Sequence, residues 1–257
     1  MARLAYHPDA DKATQSFSRV HRGSPIQPNV NVLHTTEGTD WPGYDGGGCA
    51  PHLTAKPVIA ERRLALRQHF PFTMSARALR NEAGGVETNT LNCMQLELVG
   101  TCDPAHRRSW GSRRAGKDYL FWPEAPRWAL EELAGILAWM HQEWAVKLRA
   151  PTRWPAYPTS YANGGGQRLT GAQWRRFYGT VGHMHVPENT HGDPGDIDIA
   201  TVLSLASDMV SPRPRATPRA DEVVRLAERA LRTRQSAQRK ATWEQIRRLA
   251  VELSERR

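Results

Sequence analysis

Between Pro126 and Leu148 the apolar residues recur at helical spacing: Trp128, Leu130, Leu133, Ile136, Leu137, Met140, Trp144 and Leu148. Such a stripe predicts an amphipathic helix, and Pro126 stands where a first turn tolerates proline. Upstream the period shortens. Asn29 to His34 and Cys93 to Val99 read as strands, with Gln95 and Glu97 on one face of the second, pointing to a cleft or to solvent. Ala50 to Ala55 and Leu64 to Phe70 are further strand candidates, the first entered from Gly46-Gly47-Gly48. Downstream, Thr170 is placed to cap a short helix over Gly171 to Tyr178, and Ile197 to Met209 forms a third helical pattern. Strands gathered early and helices later predict an α/β (α+β mixed) domain: a central mixed sheet flanked by helices, ending near residue 210.

Three prolines in Ser211 to Pro218 forbid a continuous helix and mark a linker. The expected organisation is therefore a domain over 1–210, a Pro/Arg linker over 211–218 and a basic amphipathic helical tail over 219–257. In the tail, Val223, Leu226, Ala227, Ala230 and Leu231 stripe one helix candidate, and Trp243, Ile246, Leu249, Ala250 and Leu253 a second. The tail holds eleven Lys+Arg against six Asp+Glu, about half the excess behind the chain's +9 charge. That charge admits nucleic acid, an anionic membrane surface or an anionic wall polymer as partner. No zinc-finger spacing, RNA-recognition signature or P-loop is present, so nucleic acid is not expected. No apolar stretch reaches the roughly 18–20 residues of a transmembrane helix, and Met1 to Lys12 has no apolar core of a secretory signal. Cys49, Cys93 and Cys102 make no disulfide framework, which fits synthesis in a reducing compartment.

Three of the ten histidines fall in Gly182-His-Met-His-Val-Pro-Glu-Asn-Thr-His-Gly-Asp-Pro-Gly195, a stretch with no periodicity that would build a core. His183 and Asp193 offer ligand types that suit zinc, and His34, ending an early strand, could supply a third. Read from spacing alone, this metal site competes with solvated loop histidines.

The chain resembles the zinc-dependent N-acetylmuramoyl-L-alanine amidases of the type 2 family, whose fold is shared with peptidoglycan recognition proteins, and most closely the endolysin amidase domains of actinobacterial phages. The resemblance lies in Val32-Leu-His-Thr-Thr-Glu-Gly38, Ala50-Pro-His-Leu-Thr54, Gly84-Gly-Val-Glu-Thr-Asn89, Gln95-Leu-Glu-Leu-Val-Gly100, and Gly182-His through Asp193-Pro-Gly195. These pieces run in family order over roughly residues 28 to 205.

The resemblance implies zinc bound by His34, His183 and Asp193, with His185 as the competitor for the middle place. It implies Glu97 as general base, and His191 as oxyanion stabiliser where the family often has lysine. The implied reaction hydrolyses the bond between muramic acid and L-alanine in peptidoglycan, leaving a lactyl carboxylate and a free L-alanine amino terminus. An endolysin would accumulate in the host cytoplasm and act on the wall after release, with the basic tail available for anionic wall polymers. A non-catalytic peptidoglycan-binding protein and an intracellular amidase recycling muropeptides are the alternatives. His52 is expected in the core or near the cleft, and Trp41, Tyr44 and Arg77 are candidate groove residues. Asn89 and Asn92 precede the Glu97 strand, where the family often has asparagine.

Overall fold

The computed structural model describes residues 3–211, 227, 244–246 and 248. The chain divides after Val210 into two units, of which the first carries all that follows. Residues 227, 244–246 and 248 have helical backbone. The rest of the expected tail, and the linker beyond residue 211, lie outside the described residues.

A mixed five-stranded sheet forms from β1 (Val30–Thr35), β2 (Leu53–Val58), β3 (Arg63–Gln68), β4 (Cys93–Leu98) and a strand near the end of the domain. Between β4 and the helices, β5 (Ser109–Trp110) and β6 (Arg113–Arg114) make a small separate hairpin. Helix α1 (Arg127–Trp144) follows, then α2 (Gly171–Arg176), β7 (Gly179–Gly182) and α3 (Ile199–Val210). The sheet order is β3-β2-β4-β1-β7. Strands β2, β4, β1 and β7 run parallel, and β3 pairs antiparallel with β2 at one edge. This is the α/β sheet flanked by helices that the periodicities predict.

The helical stripe becomes α1, which buries Leu130, Leu133, Ile136, Leu137 and Met140 in one core with Leu96 and Leu98 of β4 and Val202 and Ala206 of α3. The helix stops before Leu148 because Ala145 turns left-handed (φ 60°), its N–H donating to the His141 carbonyl while Val146 N–H donates to that of Met140. Leu148 still packs against the core from the following loop. Thr170 caps α2 as expected: its hydroxyl accepts the N–H of Gln173, whose side chain accepts that of Thr170.

One strand is displaced along the chain by three residues, and another has no counterpart in the sequence expectations. The second strand spans Leu53–Val58 instead of Ala50 to Ala55, and includes Pro57 where β2 no longer has β4 alongside, since that pairing ends at Ala55. Strand β7 is absent from the sequence reading. Gly-Thr-Val-Gly has no alternation, yet all four residues are buried beside β1. Its last glycine is required by packing, because a Cβ on Gly182 would stand 2.7 Å from Pro194 Cδ and 3.0 Å from Trp154 Cζ3. That close approach draws the Asp193-Pro194 segment against the strand end, where Met184 N–H donates to Asp193 O at 3.0 Å.

Candidate metal centre

Three neighbouring parallel strands, β4, β1 and β7, deliver their chemistry at one end. In the parallel register His34 of β1 is paired with Glu97 of β4, and Leu33 with Gly182, so His183 emerges from β7 directly beside His34. Ligand sites of parallel α/β sheets gather at such carboxyl ends. Asp193 reaches the same point from the following loop and is held by Thr35 N–H, which donates to its Oδ2 at 3.1 Å.

The potential ligand atoms of His34, His183 and Asp193 all lie within 4.8 Å of one another, and all three residues are buried. His34 Nδ1 stands 3.0 Å from His183 Nδ1 and 3.7 Å from Asp193 Oδ2, while His183 Nδ1 stands 3.3 Å from Asp193 Oδ1. Lone-pair atoms concentrated this way out of water repel unless a proton or a cation lies among them. Two imidazoles and a carboxylate form a donor set suited to a divalent metal, and the residues present fit one.

Electrostatics favour the ligating forms. Burial, reinforced by His183, pushes the pKa of His34 well down, so its imidazole is neutral. Burial alone would raise that of Asp193, but the imidazoles of His183, His34 and His191 outweigh it and hold the carboxyl at about 2. Glu97 differs. Its Oε1 lies 3.9 Å from His34 Nδ1, and its Oε2 is buried with no hydrogen-bond partner among the described residues. Burial, with Asp193 and Glu37 adding to it, raises its pKa well above the ordinary carboxylate value.

His191 lies at the mouth. Its side chain is 69% exposed, it stacks on His183 with centroids 4.7 Å apart, and its Nδ1 is 3.7 Å from Asp193 Oδ1. His185, the alternative ligand, faces elsewhere. Its Nδ1 accepts from Gly182 N–H at 3.0 Å, its Nε2 contacts the Arg153 carbonyl at 2.9 Å, and its ring meets Trp154 edge-on. It is a buried structural residue, not an open loop or groove histidine.

A cavity of about 350 Å³ contains His34, Glu97, His183, His191 and Asp193, and Tyr44 forms part of its wall. Trp41 and Arg77 do not line it; Trp41 instead carries the Arg67 guanidinium over its ring at 4.0 Å. His52 is in the core, with Nδ1 accepting from Gln95 N–H and Nε2 at the Met74 carbonyl. Gln95 points neither to cleft nor to solvent. Its amide ties Ala78 N–H to Asn89 in a buried network that pins the loop between β3 and β4. Asn92 accepts from Gln27 N–H instead of joining the site.

Sequence reasoning misses the adjoining hollow of about 420 Å³, walled by Trp110, Tyr157 and Tyr161 and sharing Glu37, His191 and Asp193 with the first. Those aromatics come from the β5–β6 hairpin and a loop without periodicity, and only the tertiary fold brings them together. No protein-family model, curated protein or solved structure matches this chain. Among the described residues no helix is long and apolar enough to cross a membrane.

Proposed function

We propose that the chain is a zinc-dependent N-acetylmuramoyl-L-alanine amidase acting as a phage endolysin on the host cell wall. The observation that carries the reading is the convergence of buried His34, His183 and Asp193 beside Glu97, whose Oε2 has no hydrogen-bond partner among the described residues, on the wall of one cavity. The sequence resemblance supplies the substrate: the amide joining muramic acid to L-alanine. Zinc is the metal proposed, because catalytic zinc commonly has three protein ligands of this kind. An anionic wall polymer, which the +9 charge would attract, is the further partner proposed, and the endolysin reading places accumulation in the host cytoplasm before lysis.

Zinc held by His34, His183 and Asp193 would supply Lewis acidity at the amide carbonyl and lower the pKa of water at the site from about 15.7 towards 7. Glu97 takes the proton from the attacking water as its oxygen bonds to the amide carbon. Burial raises the pKa of that carboxyl above the ordinary carboxylate value, which strengthens its hold on a proton it has accepted. As the C–N bond breaks, Glu97 returns the proton to the departing L-alanine nitrogen. His191, at the cavity mouth, hydrogen-bonds the oxyanion. The hollow walled by Trp110, Tyr157 and Tyr161 receives a portion of the substrate beyond the scissile bond.

Digestion of purified peptidoglycan tests this reading. New L-alanine amino termini without new reducing sugars are expected, and His34→Ala should abolish them. No release by the wild type, or undiminished release by His34→Ala, refutes it. Hydrolysis confined to soluble muropeptides would instead indicate a recycling enzyme.

A further inference from the structure

We propose that Asn189 is a positioning residue that decides which nitrogen of His183 is free to bind a metal. The inference rests on the metal reading above, but its physical basis is the hydrogen-bond network around His183.

His183 turns Nδ1 towards His34 and Asp193 and places Nε2 3.0 Å from Asn189 Oδ1. The orientation of the Asn189 amide is set by backbone groups at both ends. Its Oδ1 also accepts the N–H of Arg80 at 3.0 Å, and its Nδ2 donates to the carbonyls of Pro187 at 2.9 Å and Arg80 at 3.4 Å. A flipped amide would set N–H against N–H at Arg80 and oxygen against both carbonyls. Oδ1 can only accept, so the hydrogen of the neutral His183 ring must sit on Nε2. The Nδ1 lone pair is then left pointing into the cluster.

The lock is well supported. Asn189 is only 6% exposed, which leaves little access for water to substitute for either partner. The preceding residue, Glu188, has φ 63° and accepts Val86 N–H with its carboxylate, so the loop is fastened twice to the segment between β3 and β4. His34 has no equivalent. Its Nε2 is buried with no hydrogen-bond partner among the described residues. With the His183 Nδ1 lone pair facing it, His34 donates its Nδ1–H to His183 Nδ1 across their 3.0 Å separation. His183 is the fixed ligand of the pair, and His34 is the one that changes tautomer when a metal arrives.

The test reads tautomer and metal affinity separately. In zinc-free protein, long-range proton–nitrogen NMR should show His183 as the Nε2–H form, and Asn189→Ala should shift it towards the Nδ1–H form. By competition with a chromophoric chelator, Asn189→Ala should bind zinc about 10–100-fold more weakly. Asn189→Asp keeps an acceptor at His183 Nε2 but sets its second oxygen against the Pro187 and Arg80 carbonyls, so it should keep the Nε2–H tautomer while regaining only part of the zinc affinity. Glu188→Ala loosens the same loop without touching His183, and should leave the tautomer unchanged. A wild-type His183 in the Nδ1–H form overturns the proposal. So does zinc affinity of Asn189→Ala within twofold of wild type, or equal tautomer shifts in Asn189→Ala and Glu188→Ala. If Asn189→Ala does not fold, the wild-type tautomer and the Asp variant decide. A wild type that binds no zinc refutes the functional reading, while the tautomer measurement still judges Asn189.

Discussion

His34 and His183, 149 residues apart in sequence, bring their Nδ1 atoms to 3.0 Å because adjacent parallel strands end side by side. With Asp193 they make a buried cluster that a cation would relieve of lone-pair repulsion. One bound zinc per chain is therefore expected by elemental analysis, with stoichiometry lost in His34→Ala and His183→Ala. Saturating metal at about 100 times its Kd should add roughly 2.7 kcal/mol to stability. Removing zinc with a chelator should correspondingly lower the melting temperature, and a chelator with no effect on melting or metal content would contradict the site.

Glu97 is paired with His34 in the sheet register but contributes no atom to the ligand cluster. Its substitution should separate chemistry from metal binding. Glu97→Gln preserves shape and removes the base, so hydrolysis should fall by about 10²–10⁴-fold while zinc content stays at the wild-type level. A variant that loses zinc and activity together would make Glu97 a ligand instead.

Gly182 offers a steric test of how Asp193 is brought in. A methyl group there would meet Pro194 and Trp154 at 2.7 and 3.0 Å and Asp193 O at 3.3 Å. Gly182→Ala should push the Asp193 segment outward, weakening zinc binding by at least tenfold with all three ligands still present. Wild-type zinc affinity in that variant would show that the segment yields without disturbing the carboxylate.

Period and residue type made much of this legible in sequence. Helix α1, the Thr170 cap and the strands carrying His34 and Glu97 each have a local cause that a sequence displays. The resemblance named His34, His183 and Asp193 together. What stayed hidden depends on contacts distant in sequence. Strand β7 is stabilised by β1 and not by any pattern in Gly-Thr-Val-Gly. Gln95 sits at a strand position that alternation would turn outward, but Ala78 and Asn89 supply buried partners for its amide. His185 has the same residue type and nearly the same place as His183, and differs only because Gly182 and Arg153 occupy its nitrogens. Asn189 lies within the His-rich stretch, yet its partner Arg80 is over a hundred residues away.

Two further histidines predict how stability responds to acid. His52 uses both nitrogens in its neutral form, accepting from Gln95 N–H and donating to the Met74 carbonyl. His69 likewise donates to the Gln15 carbonyl and accepts from the Thr54 hydroxyl. Protonation would set a new N–H against the fixed Gln95 N–H at His52, and at His69 would force the Thr54 hydroxyl to turn and accept. Burial lowers both pKa values to about 4, although their carbonyl partners oppose the shift. The unfolded chain, with histidines near 6.5, binds protons first as pH falls, so stability is full above pH 6.5 and declines towards pH 4. Each histidine contributes roughly 3 kcal/mol across that window as an upper figure. Urea unfolding at pH 7.5, 6 and 5, with chelator present to remove metal linkage, should show this decline. A His52→Gln variant should show a shallower one, and a stability unchanged from pH 7.5 to 5 would mean that neither ring is held neutral by the fold.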